Sequence, residues 1–207
     1  FNVRKPVLSP KKRRVQRSNT IYDLRLAAKK VTPRGPFDYT DGAAEQEISL
    51  NRARKSFENI EFSPHILRDV SNVSLETKML GVNYKMPVGI APTGFTRMMH
   101  TDGEKAGAST AAAFGIPFTL STMGTTSIEK VKEAAPNGSH WFQLYLWRDR
   151  DRSIELIKRA ETAGYEGLVL TVDAQVAGAR LRDIKNGLTV PPTLTLNTFL
   201  NALPRPG

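Results

Sequence analysis

Hydrophobic residues recur along this chain in four short runs, rich in β-branched or aromatic side chains. A polar turn and a stretch with helical periodicity follow the runs, which begin roughly 24–30 residues apart, the length of one βα unit. The runs cover residues 86–92, 116–121, 141–146 and 167–173. This alternation predicts an α/β fold in which helices cover both faces of a parallel sheet.

Two architectures fit such a pattern. A doubly wound sheet that binds a dinucleotide carries a G-x-G-x-x-G turn after its first strand, and this sequence has none. A (β/α)8 TIM barrel needs about 250 residues, and four βα units supply about half of it. We therefore expect the first four units of a (β/α)8 barrel.

Local signals place the helices between these strands. Residues 101–104 and 126–129 both have the order of a capping box, in which Thr or Ser starts a helix and Glu follows. Asp149 is the expected N-cap of the third helix, which should end near Ala163, before Gly164.

The chain divides into four predicted segments. A basic arm (1–19) precedes a helical pre-barrel segment (20–85), in which residues 20–30 and 45–60 have helical periodicity. The half barrel (86–190) leads into a proline-rich segment (191–207), expected to be the start of a mobile loop after strand four. Because the sequence opens on Phe and holds half a barrel, we expect further residues on both sides, and a nick or disorder after Gly207.

The formal net charge of +10 belongs to the beginning of the chain. Residues 1–34 contain eleven Lys and Arg against one acid, Asp23, so the rest of the chain is formally neutral. We therefore expect no nucleic-acid partner. Two interpretations of the arm stay open: a solvated or subunit-wrapping extension of a homo-oligomer, or a segment that binds anionic lipid through residues 11–14 and Arg17.

Other classes of protein are disfavoured by composition. The longest apolar stretches are far shorter than the roughly 20 residues of a membrane-spanning helix. With no cysteine there is no disulfide, and His65, His100 and His140 lie neither beside a carboxylate nor at metal-ligand spacing, so no metal site is expected. We expect a cytoplasmic protein, or one peripheral on the inner face of the cell membrane.

Polar residues gather where the predicted strands end, which is where barrels build their active sites. Buried polar groups there need partners, since each unsatisfied one costs about 1–3 kcal/mol. A bound ring with a polar edge would supply these partners, and so would mutual hydrogen bonds. Arg180, on the loop after strand four, is either an anion ligand or a solvated charge. The strand-end residues are Pro92, Thr93, Gly94, Ser121, Thr122, Gln143, Tyr145, Thr171 and Asp173.

Five motifs in this order resemble the FMN-dependent α-hydroxy acid dehydrogenases, and the resemblance extends from about residue 20 to 207. They are Phe-Asp-Tyr-Thr-Asp-Gly-Ala-Ala-Glu (37–45), Ile-Ala-Pro-Thr-Gly-Phe (90–95), Phe-Thr-Leu-Ser (118–121), Phe-Gln-Leu-Tyr (142–145) and Thr-Val-Asp (171–173). Within the family, residues 92–100, 147–152, 177–183 and the basic arm are most similar to actinobacterial L-lactate dehydrogenases that feed the respiratory chain.

The resemblance implies a role for each matching residue. FMN would be the cofactor, its flavin packed against the backbone of Pro92, Thr93 and Gly94. Ser121, Gln143 and Thr171 would hydrogen-bond its polar edge. Tyr39 and Arg180 would bind the substrate carboxylate, Tyr145 the hydroxyl or keto oxygen, and Asp173 would orient the catalytic histidine.

The implied reaction is the oxidation of L-lactate to pyruvate, with hydride transfer to FMN and electrons passed on to a quinone. The family's catalytic histidine, its second substrate arginine and its flavin lysine have no counterpart here and are expected beyond Gly207. Met123 replaces a common aromatic residue, while Gln175 and Ala179 replace Pro and Arg. Three alternatives therefore stay open: another 2-hydroxy acid, such as glycolate or mandelate, as the substrate; oxygen as the electron acceptor; or a non-catalytic half barrel.

Overall fold

The computed structural model describes residues 9–173 and 176–188. The predicted loop over 191–207, residues 1–8 of the arm, and Gln175 lie outside the described residues. The chain forms two compact units, one of residues 1–59 and 178–207 and one of residues 60–177.

The first unit is helical. Its helices are α1 (Pro10–Gln16), α2 (Ile21–Val31), α3 (Arg34–Asp41) and α4 (Ile48–Ser56), the last followed by a 3₁₀ turn, Phe57–Asn59. After residue 177 the chain returns to this unit and forms a further short helix.

The predicted helix over 20–30 is confirmed, but the one over 45–60 starts later than predicted. A capping box holds the start of α2: Asp23 N–H donates to Thr20 Oγ1 at 3.1 Å, and Thr20 N–H donates to Asp23 Oδ2 at 3.0 Å. Glu45 and Glu47 have φ of 50° and 59°, in the left-handed region, which cannot continue a right-handed helix. Consequently α4 begins at Ile48.

The second unit opens with an antiparallel hairpin that the sequence did not predict. Strands β1 (Thr77–Met79) and β2 (Val82–Tyr84) pair across a turn at Leu80 and Gly81, where φ is 49° and 85°. Positive φ at both central turn residues is typical of tight hairpins. Strands of three residues are too short for their alternation to distinguish them from the helices predicted over 20–85.

A parallel sheet with helices between its strands makes up the rest of the second unit. The strands β3, β4 and β5 lie in that order, each parallel to its neighbour. The predicted α/β alternation and three of its four strands are thus confirmed. The elements are α5 (Gly103–Phe114), β3 (Phe118–Leu120), α6 (Ile128–Ala134), β4 (His140–Tyr145), α7 (Arg150–Thr162) and β5 (Gly167–Thr171). The returning helix of the first unit is α8 (Leu181–Asn186).

The first predicted strand, over 86–92, is wrong as a full strand. Only Ile90 pairs with the sheet, through a parallel bridge to Phe118. Ile90 N–H donates to Pro117 O at 2.9 Å, and Thr119 N–H donates to Ile90 O at 3.0 Å. Pro87 and Pro92 have no N–H to extend this ladder, which explains its shortness.

The core of the second unit lies between the sheet and its helices. Gly107 on α5 illustrates the close packing, because a Cβ there would lie 2.7 Å from the ring of Phe118. Any larger residue would therefore separate helix and sheet. The buried core residues are Ala108, Ala111, Phe118, Leu120, Ile128, Val131, Ala135, Phe142, Leu144 and Ala160.

The first predicted capping box does not form. Asp102 lies at the N-cap of α5 and makes no side-chain cap, while Glu104 is buried and accepts hydrogen bonds from the loop after β3. Thr125 donates to Glu104 through its N–H at 2.6 Å and its hydroxyl at 2.8 Å, and Thr126 Oγ1 donates at 2.7 Å. The Glu104 carboxylate is thus directed at the loop after β3.

The other two helix starts agree better with the sequence. Ser127, not the predicted Thr126, caps α6 by accepting a hydrogen bond from Lys130 N–H. Asp149 caps α7 as predicted, accepting from Arg152 N–H, and this helix ends at Thr162 before Gly164, where φ is 77°. No helix of the described residues is long and apolar enough to cross a membrane.

Replacing Glu104 with Ala should lower the free energy of unfolding by about 1–3 kcal/mol, because Thr125 and Thr126 would lose their buried acceptor. Glu133→Ala, at an exposed site of α6, is the matched control and should change it by less than about 0.5 kcal/mol. Urea unfolding of the full-length protein measures both, and equal effects would contradict the role of Glu104.

The same site predicts a pH dependence. Burial by itself raises the pKa of Glu104, but the hydrogen bonds from Thr125 and Thr126 outweigh burial and lower the pKa below its ordinary value of 4.5. A carboxylate with a lowered pKa stabilises the folded state at pH above the unfolded pKa and loses this effect as pH falls. The difference between wild type and Glu104→Ala should therefore shrink below about pH 4.5.

Candidate functional site

A buried amide side chain joins the carboxyl ends of the three parallel strands. Gln143 on β4 is 2% exposed. Its Oε1 accepts hydrogen bonds from Ser121 Oγ at 3.3 Å and Thr122 N–H at 3.0 Å, while its Nε2 donates to Thr171 Oγ1 at 2.7 Å. The structure thus brings together three residues that the sequence assigned to one cofactor edge: Ser121, Gln143 and Thr171.

Thr122 also belongs to this cluster; it was predicted as a polar residue at a strand end, without a binding role. Its hydroxyl donates to the Gln143 carbonyl oxygen at 2.5 Å and accepts from Tyr145 N–H at 3.0 Å. Thr122 therefore completes the backbone pairing of β4 just where β3 has ended. A hydroxyl side chain directly after Ser121 was the only signal in the sequence.

The predicted cofactor-backbone segment, Pro92 to Gly94, is attached to the loop after β3. Phe95 N–H donates to Met123 O at 3.0 Å, and a Cβ on Gly94 would lie 2.9 Å from the Met123 Cβ. Glycine is therefore required for this close approach. Pro92 and Thr93 are exposed, so their backbone is accessible to a ligand.

Tyr145 and Asp173 follow on the same side of the sheet. Tyr145 ends β4 and is paired in register with Thr171 at the end of β5. Asp173 lies two residues beyond β5 and is exposed. Its carboxylate makes no ion pair within the described part of the chain and is accessible to a partner.

A second cluster lies in the helical unit and joins Tyr39 to Arg180. The Arg180 guanidinium carbon lies 4.7 Å from the centroid of the Tyr39 ring, a cation–π distance. Arg180 also donates from Nη2 to the carbonyl oxygens of Tyr39 and Gly42, and from Nε to Asp183 Oδ2 at 2.6 Å. Two predicted carboxylate ligands, 141 positions apart, are therefore neighbours.

One nitrogen of the Arg180 guanidinium is available for a further hydrogen bond. Nη1 forms no hydrogen bond or ion pair within residues 9–173 and 176–188, and the side chain is half-buried. Such a nitrogen can donate to an anion while Nε and Nη2 hold the side chain in place.

No metal site is found among the described residues, where no group of three or more His, Cys, Asp or Glu could hold an ion. The prediction that no histidine lies beside a carboxylate is wrong for His100, whose Nδ1 is 3.5 Å from Asp102 Oδ2. His140 is fully buried and donates from Nδ1 to Gly138 O, and burial lowers its pKa, so it is a neutral core histidine.

The chemistry of the Gln143 cluster suits a planar, polar-edged ligand. Its side chains are uncharged, and amide and hydroxyl groups alternate between donating and accepting hydrogen bonds. One N–H of Gln143 Nε2 and the hydroxyl hydrogen of Thr171 have no acceptor within the described chain. An edge that alternates carbonyl and N–H groups, as the flavin ring does, fits this donor and acceptor set.

A model of the FMN-dependent dehydrogenase family matches residues 28–207. The chain therefore belongs to the FMN-dependent dehydrogenases, a family of enzymes that use FMN as their cofactor.

Two similar proteins have names that refer to hydroxy acid substrates. A protein of Mycobacterium tuberculosis (strain ATCC 25618 / H37Rv), provisionally named L-lactate dehydrogenase, is 55% identical over 98% of this chain and 49% of its own length. Glycolate oxidase 1 of Zea mays is 42% identical over 86% of this chain and 48% of its own.

A solved structure is similar as well. The monotopic membrane protein (S)-mandelate dehydrogenase superposes with a TM-score of 0.82 and 35% identity, over 89% of this chain and 49% of that one. The chain spans about half the length of the relatives it matches.

Replacing Gln143 with Leu should weaken FMN binding to the full-length protein at least tenfold, because Ser121 and Thr171 would lose the amide that holds them. Flavin fluorescence on dilution measures the dissociation constant. Urea unfolding of the apoprotein separates lost binding from lost folding, and unchanged FMN affinity in a folded variant would contradict the assignment.

Proposed function

We propose that the whole protein oxidises L-lactate to pyruvate and passes the electrons to a quinone. The buried Gln143 cluster is the observation that carries the proposal, because its uncharged donor and acceptor set fits the edge of FMN. The choice of L-lactate rests on the 55% identical relative and its provisional name.

FMN, when bound, supplies the acceptor for the hydride from the substrate. Ser121, Gln143 and Thr171 hold its polar edge in this proposal, and the accessible backbone of Pro92, Thr93 and Gly94 packs against the ring. Hydrogen-bond donors fixed beforehand in this way stabilise negative charge that develops during a reaction.

The substrate is bound by charged and phenolic groups. Arg180 and Tyr39 bind its carboxylate, and a charge-assisted hydrogen bond from Arg180 is about twice as strong as a neutral one. Tyr145 holds the hydroxyl or keto oxygen. Asp173, which is exposed, orients a catalytic histidine of the whole protein and stabilises its protonated form.

We also propose that the sheet continues into a (β/α)8 barrel. Leu168 and Leu170 on β5 are 50% and 49% exposed, and they alternate with more buried residues along the strand. Apolar side chains at these positions favour coverage by further βα units, which agrees with relatives twice as long.

Electron transfer to a quinone favours a position at the inner face of the membrane. Lys12, Arg14 and Arg17 are exposed on and just after α1, and Ile21 and Tyr22 are exposed at the start of α2. Basic residues beside apolar ones are typical of segments that lie on anionic lipid. A membrane (S)-mandelate dehydrogenase among the similar structures supports this position, while the homo-oligomer expected from the arm stays a prediction.

A second candidate is the same chemistry on another 2-hydroxy acid. Met123, in the loop after β3, is 40% exposed and replaces the aromatic residue expected from the family resemblance. Similarity to a glycolate oxidase and to a mandelate dehydrogenase keeps both of those substrates open. A non-catalytic half barrel is the remaining alternative.

Full-length protein should be yellow and should bleach without oxygen when L-lactate is added. Arg180→Lys should raise the KM for L-lactate roughly 10–100-fold, because Lys cannot form the same planar contacts. Steady-state kinetics with L-lactate, glycolate and (S)-mandelate measure substrate choice. A protein that cannot be reconstituted with FMN would overturn the proposal.

Deleting residues 1–19 should abolish sedimentation with vesicles that contain anionic phospholipid, since each basic residue near such a surface contributes about 1 kcal/mol. The variant Lys12→Ala/Arg14→Ala/Arg17→Ala should lose part of this binding, and vesicles of neutral lipid are the control. Unchanged partitioning of the deletion variant would favour the solvated or subunit-wrapping arm.

A further inference from the structure

Arg182 ties helix α8 to the helix that carries Tyr39. Its Nη1 lies 3.1 Å from Asp41 Oδ2, and its Nη2 donates to Glu47 Oε2 at 2.5 Å. Asp38 Oδ1 is 3.8 Å from Nη1. One guanidinium thus contacts three carboxylates: Asp38 in the middle of α3, Asp41 at the end of α3, and Glu47 just before α4.

These carboxylates are themselves held in place. Asp41 is 6% exposed and accepts two hydrogen bonds from Arg25 on α2. Glu47 uses its other oxygen, Oε1, to accept from Ala43 N–H at 3.2 Å. Arg182 is therefore bound to a fixed frame, and the position of α8 follows from it.

Arg180 lies only two residues before Arg182, at the start of the same helix. The segment that leads into it is closely packed: Glu45 N–H donates to Ala179 O at 2.7 Å, and a Cβ on Gly178 would lie 2.7 Å from the Ala44 Cβ. A shift of α8 would consequently move the Arg180 guanidinium relative to the Tyr39 ring.

Arg182 also forms ion pairs with the nearby acidic side chains. Asp38, Asp41 and Glu47 are mostly buried, and each contacts Arg182. Arg180 forms its ion pair with Asp183 and directs Nη2 at two neutral carbonyls. Without Arg182, Asp41 would keep Arg25 and Asp38 would keep Arg34, but Glu47 would have no cation among the described residues and would attract the Arg180 cation away from Tyr39.

We propose that Arg182 is a positioning residue for substrate binding: it fixes the start of α8 and satisfies three carboxylates, so that Arg180 stays over Tyr39 with Nη1 available to an anion. The inference rests on the proposed function, in which Arg180 and Tyr39 bind the substrate carboxylate. Arg182 itself does not touch the substrate. A residue of this kind affects binding of the carboxylate more than the rate of the chemical step.

The experiment compares full-length FMN-loaded variants. Arg182→Ala should raise the KM for L-lactate about tenfold or more while kcat changes less than about threefold. The dissociation constant of D-lactate, a non-reacting carboxylate followed by flavin absorbance, should rise by a similar factor. Arg182→Lys should restore part of the affinity, because Lys keeps the charge but not the two-sided contact.

A matched control removes a comparable ion pair elsewhere. Arg159 on α7 donates to both oxygens of Glu129 on α6, at 2.9 and 3.0 Å. Arg159→Ala should leave the KM for L-lactate unchanged. Should Arg182→Ala yield no folded protein, Glu47→Gln weakens the same frame with little change in shape and should raise the KM about two- to fivefold.

The outcomes separate this inference from the proposed function. If Arg180→Lys raises the KM while Arg182→Ala and Glu47→Gln leave it unchanged, Arg182 is merely structural and the inference is overturned. If Arg180→Lys itself leaves the KM unchanged, the carboxylate site of the proposed function fails, and the inference fails with it. A rise for both Arg180→Lys and Arg182→Ala, with Arg159→Ala unchanged, supports the inference.

Discussion

The second unit depends on one constraint: polar groups at the carboxyl end of a buried parallel sheet must be satisfied without water. Gln143 meets it, because an amide can accept on one side and donate on the other. Its oxygen accepts hydrogen bonds from Ser121 and Thr122, directly after β3, and its nitrogen donates to Thr171 at the end of β5. An apolar residue here would leave the hydroxyls and the N–H of the neighbouring strands unpaired in the core.

The register of the sheet determines which residues form these hydrogen bonds. Leu120, the last residue of β3, pairs with Phe142, so β4 continues to Tyr145 beyond the end of β3, whereas β4 and β5 end level at the pair Tyr145–Thr171. Thr122 bridges the step that this stagger leaves between β3 and β4. Glu104 then anchors the continuing loop through Thr125, so the end of the sheet is fixed from both sides.

Periodicity in the sequence was enough to predict the alternation of strands and helices, because burial repeats every second or every third to fourth residue. It placed the cap of α7 correctly but not that of α5, since Thr101 and Glu104 have the local order of a capping box while Glu104 accepts hydrogen bonds from Thr125, 21 positions away. That Arg180 and Tyr39 belong to one site was inferred from the family resemblance, and their direct contact is seen only in the structure. Arg182, whose partners are 135 and 141 positions distant, had no local signal at all.

The two clusters differ in electrostatics, and this difference matches two kinds of ligand. Around Gln143 the contacts are neutral, so a ring bound there would meet oriented dipoles and not a full charge. Around Arg180, four acids and several arginines nearly compensate one another, and Nη1 of Arg180 has no acceptor within the described chain. A compensated network can bind one further carboxylate only if its arginine is held in position beforehand. Ion pairs between helices hold the arginine in position here, because each guanidinium bonds at least two fixed acceptor atoms.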